Sequence, residues 1–238
     1  MSITATFTVQ YRFTLEDRRC ERFDLEFDET TGALRRQDDS SRPEWSRLTV
    51  HQCPNCTLDP AGVSHCPAAL SLAPLVARLS TLLSYDHVDL EVVTAERRVV
   101  QRTTVQRAAS SLMGLLLASS GCPRTHFFRP MARFHLPLAT EEETIFRAAA
   151  TYMLAQYFRN QRKKEPDFSM HGLNEIYRHI QILNAAMADR LRAASDSDSL
   201  VNAIILLDMH AKAMPYMIKQ SLGEIEPLFG GNQGESGS

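Results

Sequence analysis

The amino-terminal positions alternate strictly: Ile3, Ala5, Phe7, Val9, Tyr11, Phe13 and Leu15 are apolar, while Thr4, Thr6, Thr8, Gln10, Arg12 and Thr14 between them are polar. A period of two places one set on a buried face and the other in solvent, which is the pattern of a half-buried strand. After the polar turn at 16–20, Phe23, Leu25 and Phe27 alternate with charged residues, so the two segments read as a hairpin. A charged, turn-rich stretch follows to Pro43, and 45–51 is expected to form a third strand. Val88, Leu90 and Val92, then 97–103 across the Ala95–Glu96 turn, predict a second hairpin.

Elsewhere the apolar spacing is helical. Leu72, Leu75, Val76, Leu79, Leu82 and Leu83 predict a helix over 67–84, with Pro67 suited to a first helical position. Val105, Ala108, Ala109, Leu112, Met113 and Leu116 predict another, stopped at Gly121. Thr140 followed by Glu143 is a capping box and starts a helix carrying Ile145, Ala148, Ala149, Tyr152 and Gln156. Two more helices follow, one around Leu173–Leu191 and one around Leu200–Leu207, with Pro215 expected to kink or end the last.

These elements predict an α+β fold: a small antiparallel sheet of about five strands with two covering helices in 1–139, followed by a C-terminal helical bundle segment in 140–229 and a flexible tail in 230–238. The composition agrees, with 44% hydrophobic and 23% charged residues over 238 positions. A net charge of −2 gives no field to attract nucleic acid or anionic lipid. No apolar run is long enough to span a membrane, and the amino terminus lacks a secretory pattern, so the cytoplasm is the expected compartment. In that compartment clustered cysteines point to metal or redox chemistry rather than to disulfides.

Four of the five cysteines lie at the ends of predicted elements. Cys53 and Cys56 form a C-x2-C pair, Cys66 precedes a predicted helix, and Cys122 follows one. A tetrahedral zinc site takes four such ligands from separate segments, so Cys53, Cys56, Cys66 and Cys122 are the expected ligands, with His51 and His65 as replacements. Three of the four precede proline, as cysteine ligands of iron–sulfur clusters also do, which keeps that cofactor open. Thiol redox chemistry at Cys53, Cys56 and Cys66, or four unrelated cysteines, remain alternatives. Cys20 has no nearby partner.

The proline-rich connection 123–137 carries Arg129, Arg133 and His135, which are candidates for binding an anion because guanidinium forks match phosphate and carboxylate. The competing reading is a strap plugged by Phe127, Phe128 and Phe134. His171, Glu175 and His179 share one helix face but lack a further ligand. Glycine-rich phosphate loops and the G-x-S-x-G elbow are absent.

The stretches HQCPNC at 51–56, SGCP at 120–123, RFHLP at 133–137 and LAQYF at 154–158 resemble a family of bacterial proteins known only as a domain of unknown function. The resemblance implies a bacterial cytosolic protein and brings no activity or ligand with it. The expectation from the residues is a non-enzymatic binding or regulatory module with a structural zinc site, meeting a protein partner through its helical region. The alternative is a redox protein using the same cysteines.

Overall fold

The structure is a computed structural model that describes residues 5–35, 42–195 and 198–232. It has the expected α+β architecture. β1 (Thr6–Leu15) pairs antiparallel with β2 (Cys20–Asp28) on one side. On its other side it pairs with β4 (His87–Val93), which in turn pairs with β5 (Arg98–Thr104). The short β3 (Leu34–Arg35) completes a five-stranded antiparallel sheet in the order β3-β2-β1-β4-β5. Ile3 and the end of the expected tail, 233–238, lie outside the described residues.

The alternation read in β1 is the one the sheet uses. Val9, Tyr11, Phe13 and Leu15 are buried, and in register Tyr11 lies opposite Phe23 and Val92. Phe23, Phe27, Val88, Leu90 and Val92 extend the same inner face. Two helices cover it: α1 (Pro67–Leu79) and α2 (Val105–Ser119). Pro67 stands in the first turn of α1, where its missing amide leaves no helical bond unmade.

The expected strand at 45–51 is a correction. Residues Glu44–Ser46 form a single 3-10 turn, and only Arg47 makes an isolated bridge, to His65. The reason comes from far along the chain: the buried Arg190 donates to the carbonyls of Trp45, Arg47 and Leu48 at 2.9, 2.7 and 3.1 Å. Acceptors taken by a guanidinium are not available for a strand ladder.

The connection 123–137 is likewise more ordered than a loop. Pro123–Phe128 forms a 3-10 segment and Arg129–Arg133 a short helix, α3. The capping box expected at Thr140 is present in both directions and starts α4 (Glu141–Gln161). α5 (His171–Ala194) and α6 (Asp198–Ile225) follow, and α6 continues through Pro215 rather than ending there.

The buried cluster that begins under the sheet continues without a break into Leu183, Met187, Leu191, Leu200, Ala203 and Ile204 of α5 and α6. A second cluster joins Ile145, Ala148 and Tyr152 of α4 with Leu173 and Tyr177 of α5 and Ala211 and Met214 of α6. Among the described residues no helix is long and apolar enough to cross a membrane.

Candidate functional site

The four clustered cysteines border one small space, together with Leu58, Ala68, Leu183 and Met187. Its volume, about 10 Å3, is at the lower limit for one water molecule. Cys56 closes a tight turn on Cys53, its N–H donating to the Cys53 carbonyl at 2.9 Å. Cys66 and Cys122 are the residues immediately before α1 and the 3-10 segment that Pro123 begins, and both are buried in the core.

Convergence on a space is not coordination: among the described residues no group of three or more His, Cys, Asp or Glu side chains could hold a metal ion. The expected zinc site, and with it the iron–sulfur alternative, is therefore corrected. His51 is exposed at a positive φ of 42°, and His65 pairs through its backbone with Arg47. Two of the three Cys–Pro steps have a conformational explanation, since Pro67 and Pro123 each occupy the first turn of a helical segment. The cysteines before them pack as small apolar side chains. Two of the thiols are also poised against nucleophilic use, because burial pushes Cys53 up to about 12 and Cys122 up to about 11. Cys20 is exposed on β2, and all five cysteines are free thiols.

Other candidates are placed as follows. Arg133 lies over the rings of Phe7 and Phe134, 4.6 and 5.6 Å from their centroids, and reaches Glu29 at 3.5 Å. The Arg129 Nε is buried without a hydrogen-bond partner among the described residues. His179 and Arg124 together hold Asn55, with the Asn55 amide donating to the His179 carbonyl at 3.2 Å and the Arg124 Nε donating to the Asn55 carbonyl at 2.7 Å. Glu175 pairs with Arg178 on its own helix. In the helical region, the outer side of α4 exposes Phe146, Leu154, Tyr157 and Phe158.

His135 turns away from Arg133 and into a much larger cavity, about 450 Å3, enclosed by α2, the 123–139 connection, the start of α4, α5 and α6. Its existence follows from the residues on α2: Ser110, Gly114 and Ala118, four apart on one face, put small side chains where the neighbouring Leu115 and Leu117 put large ones. Leu136 and Leu138 of the connection, Ile180 of α5, and Leu206 and Leu207 of α6 make the remaining wall mostly apolar.

Two polar side chains of the wall, Ser111 and His135, are held from the sheet side. The Tyr11 hydroxyl, fully buried on β1, lies 2.5 Å from His135 Nε2 and 2.9 Å from Ser111 Oγ. Ser111 Oγ also accepts the Leu138 N–H at 3.0 Å. Every proton is placed if Ser111 donates to Tyr11 and Tyr11 donates to His135 Nε2, which leaves the imidazole proton on Nδ1. Burial, reinforced by the nearby Arg147, pushes His135 down to about 3, so the ring is neutral and serves as a donor. Burial also raises Tyr11 and Tyr177 far above the usual phenol range.

From α5, Tyr177, Ile180 and Asn184 face the cavity at helical spacing. Asn184 is only 2% exposed, and its Nδ2 has no hydrogen-bond partner among the described residues. From α4, Arg147 enters the wall with one end fixed: its Nη2 donates to the carbonyls of Met131 and Phe134 at 2.7 and 2.8 Å.

Of the anion- and metal-binding candidates read from sequence, only His135 lines this cavity, joined by Phe128, which was expected as a plug of the connection. Ser111, Arg147, Tyr177 and Asn184, which line it too, carry no candidate chemistry in the sequence reading, nor does Tyr11, which holds His135 from the sheet. Two signals were present: an asparagine within the apolar stripe of α5, and small residues at every fourth position of α2.

Comparison with known proteins gives one family match, to a model described as a domain of unknown function (DUF6901), over residues 9–230. No curated protein and no solved structure matches the chain.

Proposed function

The chain belongs to this family of unknown function, and we propose that it is a binding module for a small, largely apolar molecule that occupies the cavity between α2, α4, α5 and α6. The observation that carries this reading is Asn184: a buried amide donor without a partner among the described residues, on a residue that lines a space of about 450 Å3. Leaving such a donor unmet costs roughly 1–3 kcal/mol, and an acceptor on a ligand recovers that cost. The volume falls within the roughly 300–1,000 Å3 of small-molecule sites, which are likewise mostly apolar with a few placed polar groups. The rigid supports fit the same role, since Tyr11, Ser111 and Arg147 are each held by hydrogen bonds to other elements.

The test is a titration with the fluorescent probe 1-anilinonaphthalene-8-sulfonate on the wild-type chain and on Ile180→Trp, which fills the cavity from α5. Saturable binding by the wild type and a loss of about tenfold or more in the variant supports the reading, with circular dichroism showing the variant folded. Equal binding by both chains places the probe elsewhere and contradicts it.

A further inference from the structure

The wall of the cavity is mostly apolar, and Arg147 brings a positive charge to it from α4. Arg147 is half-buried, with His135 from the connection and Tyr177 from α5 close enough that its charge acts on both. Only its Nη2 is engaged, on two backbone carbonyls, and no carboxylate lies within 4.0 Å of the guanidinium among the described residues. The nearest acidic influence comes from Glu143, one turn earlier, whose Oε2 already accepts the Thr140 N–H at 2.7 Å in the capping box. Glu141 and Arg107 stand exposed at the rim and offset each other in charge.

A cation withdrawn from water ordinarily has a paired anion. Among the described residues no carboxylate takes that place, whereas two neutral donor groups near Arg147, on His135 and Tyr177, line the same cavity. His135 offers Nδ1–H, and the Tyr177 hydroxyl has no hydrogen-bond partner among the described residues. A planar guanidinium takes a carboxylate through two parallel N–H bonds.

Resting on the reading of the cavity as a ligand site, we infer that its ligand is a monocarboxylate with an apolar body, the carboxylate held by Arg147 with Tyr177 and His135 and the body lying along Leu115, Ile180 and Leu207. The class comprises fatty and aryl-alkyl carboxylic acids. A neutral lipid or alcohol of the same shape fills the apolar part and leaves the guanidinium unpaired.

The experiment compares octanoate with 1-octanol, which share a tail and differ in the head, by calorimetric titration at neutral pH. The expected result is that the wild type binds octanoate at least about tenfold more tightly than 1-octanol, and that Arg147→Met abolishes the preference by weakening octanoate alone. Since Arg147 also holds the Met131 and Phe134 carbonyls, Tyr177→Phe serves as a second variant, expected to weaken octanoate about threefold or more with 1-octanol unchanged. Equal affinity of the wild type for both compounds, or tighter binding of 1-octanol, overturns the carboxylate while the cavity reading stands. If neither compound binds and the fluorescent probe still distinguishes wild type from Ile180→Trp, the carboxylate class is overturned alone; if the probe also fails to distinguish them, both readings fall.

Discussion

Acidification should destabilise the protein through His135. The ring sits against Tyr11 of β1, with Ser111 of α2 behind it and the positive Arg147 of α4 nearby, and it is held neutral down to about 3. In the unfolded chain an imidazole takes up its proton near 6.5. Between these values the unfolded state binds a proton that the folded state refuses, so the contribution to stability is complete above the unfolded value and is lost as the pH falls toward the folded one. The slope inside the window is about 1.4 kcal/mol per pH unit. From about pH 7 to about pH 5 the loss works out near 2 kcal/mol, and screening where solvent reaches the ring brings it to roughly 1–2 kcal/mol. Other groups titrate over the same interval, so the quantity to measure is the difference between the wild type and His135→Gln, which keeps an acceptor for Tyr11. Urea unfolding followed by Trp45, the single tryptophan, gives both stabilities. The wild type should lose about 1–2 kcal/mol more than the variant between the two pH values. An unchanged gap refutes the argument that the ring is buried and neutral.

Other substitutions have defined directions. Gly114→Ala should stabilise α2 by about 0.5–1 kcal/mol in a thermal melt, because the added methyl meets Leu207 Cδ2 at an ordinary 3.7 Å. Gly172→Ala should cost roughly 2 kcal/mol, because its methyl collides with the Tyr152 hydroxyl, which donates to Asp167 at 2.7 Å. Arg190→Met should lower stability by about 3 kcal/mol by orphaning the carbonyls at Trp45, Arg47 and Leu48, and should shift the Trp45 emission. Under mild alkylation Cys20 should react at least about tenfold faster than Cys53 or Cys122, because Cys53 is half-buried, Cys122 is buried and both titrate high.

The elements that sequence could reveal are those whose stability is local. β1 and β2 carry their burial in a period of two, and the α4 start is written in Thr140 and Glu143, which bond each other. Where the chain depends on distant partners, short-range pattern misleads. The alternation over 45–51 resembles a strand, yet its carbonyls are claimed by Arg190, more than 140 positions away. The prolines at 123 and 130 suggest an extended loop, yet each stands in the first turn of a helical segment. The same ambiguity affected the cysteines: a Cys–Pro step serves equally as a ligand turn and as a helix start, and the spacing does not distinguish them. The cavity was the least legible feature. Ser111, His135, Arg147 and Tyr177 come from four separate segments, and no sequence spacing relates them.

The most direct test of the account is methyl-resolved NMR of the chain during titration with octanoate. Binding in the cavity predicts saturating shifts at Leu115, Leu136, Ile180 and Leu207, which line it, with the methyls of Leu154 on the exposed side of α4 unmoved. Shifts at Leu154 without movement of the cavity methyls would contradict it.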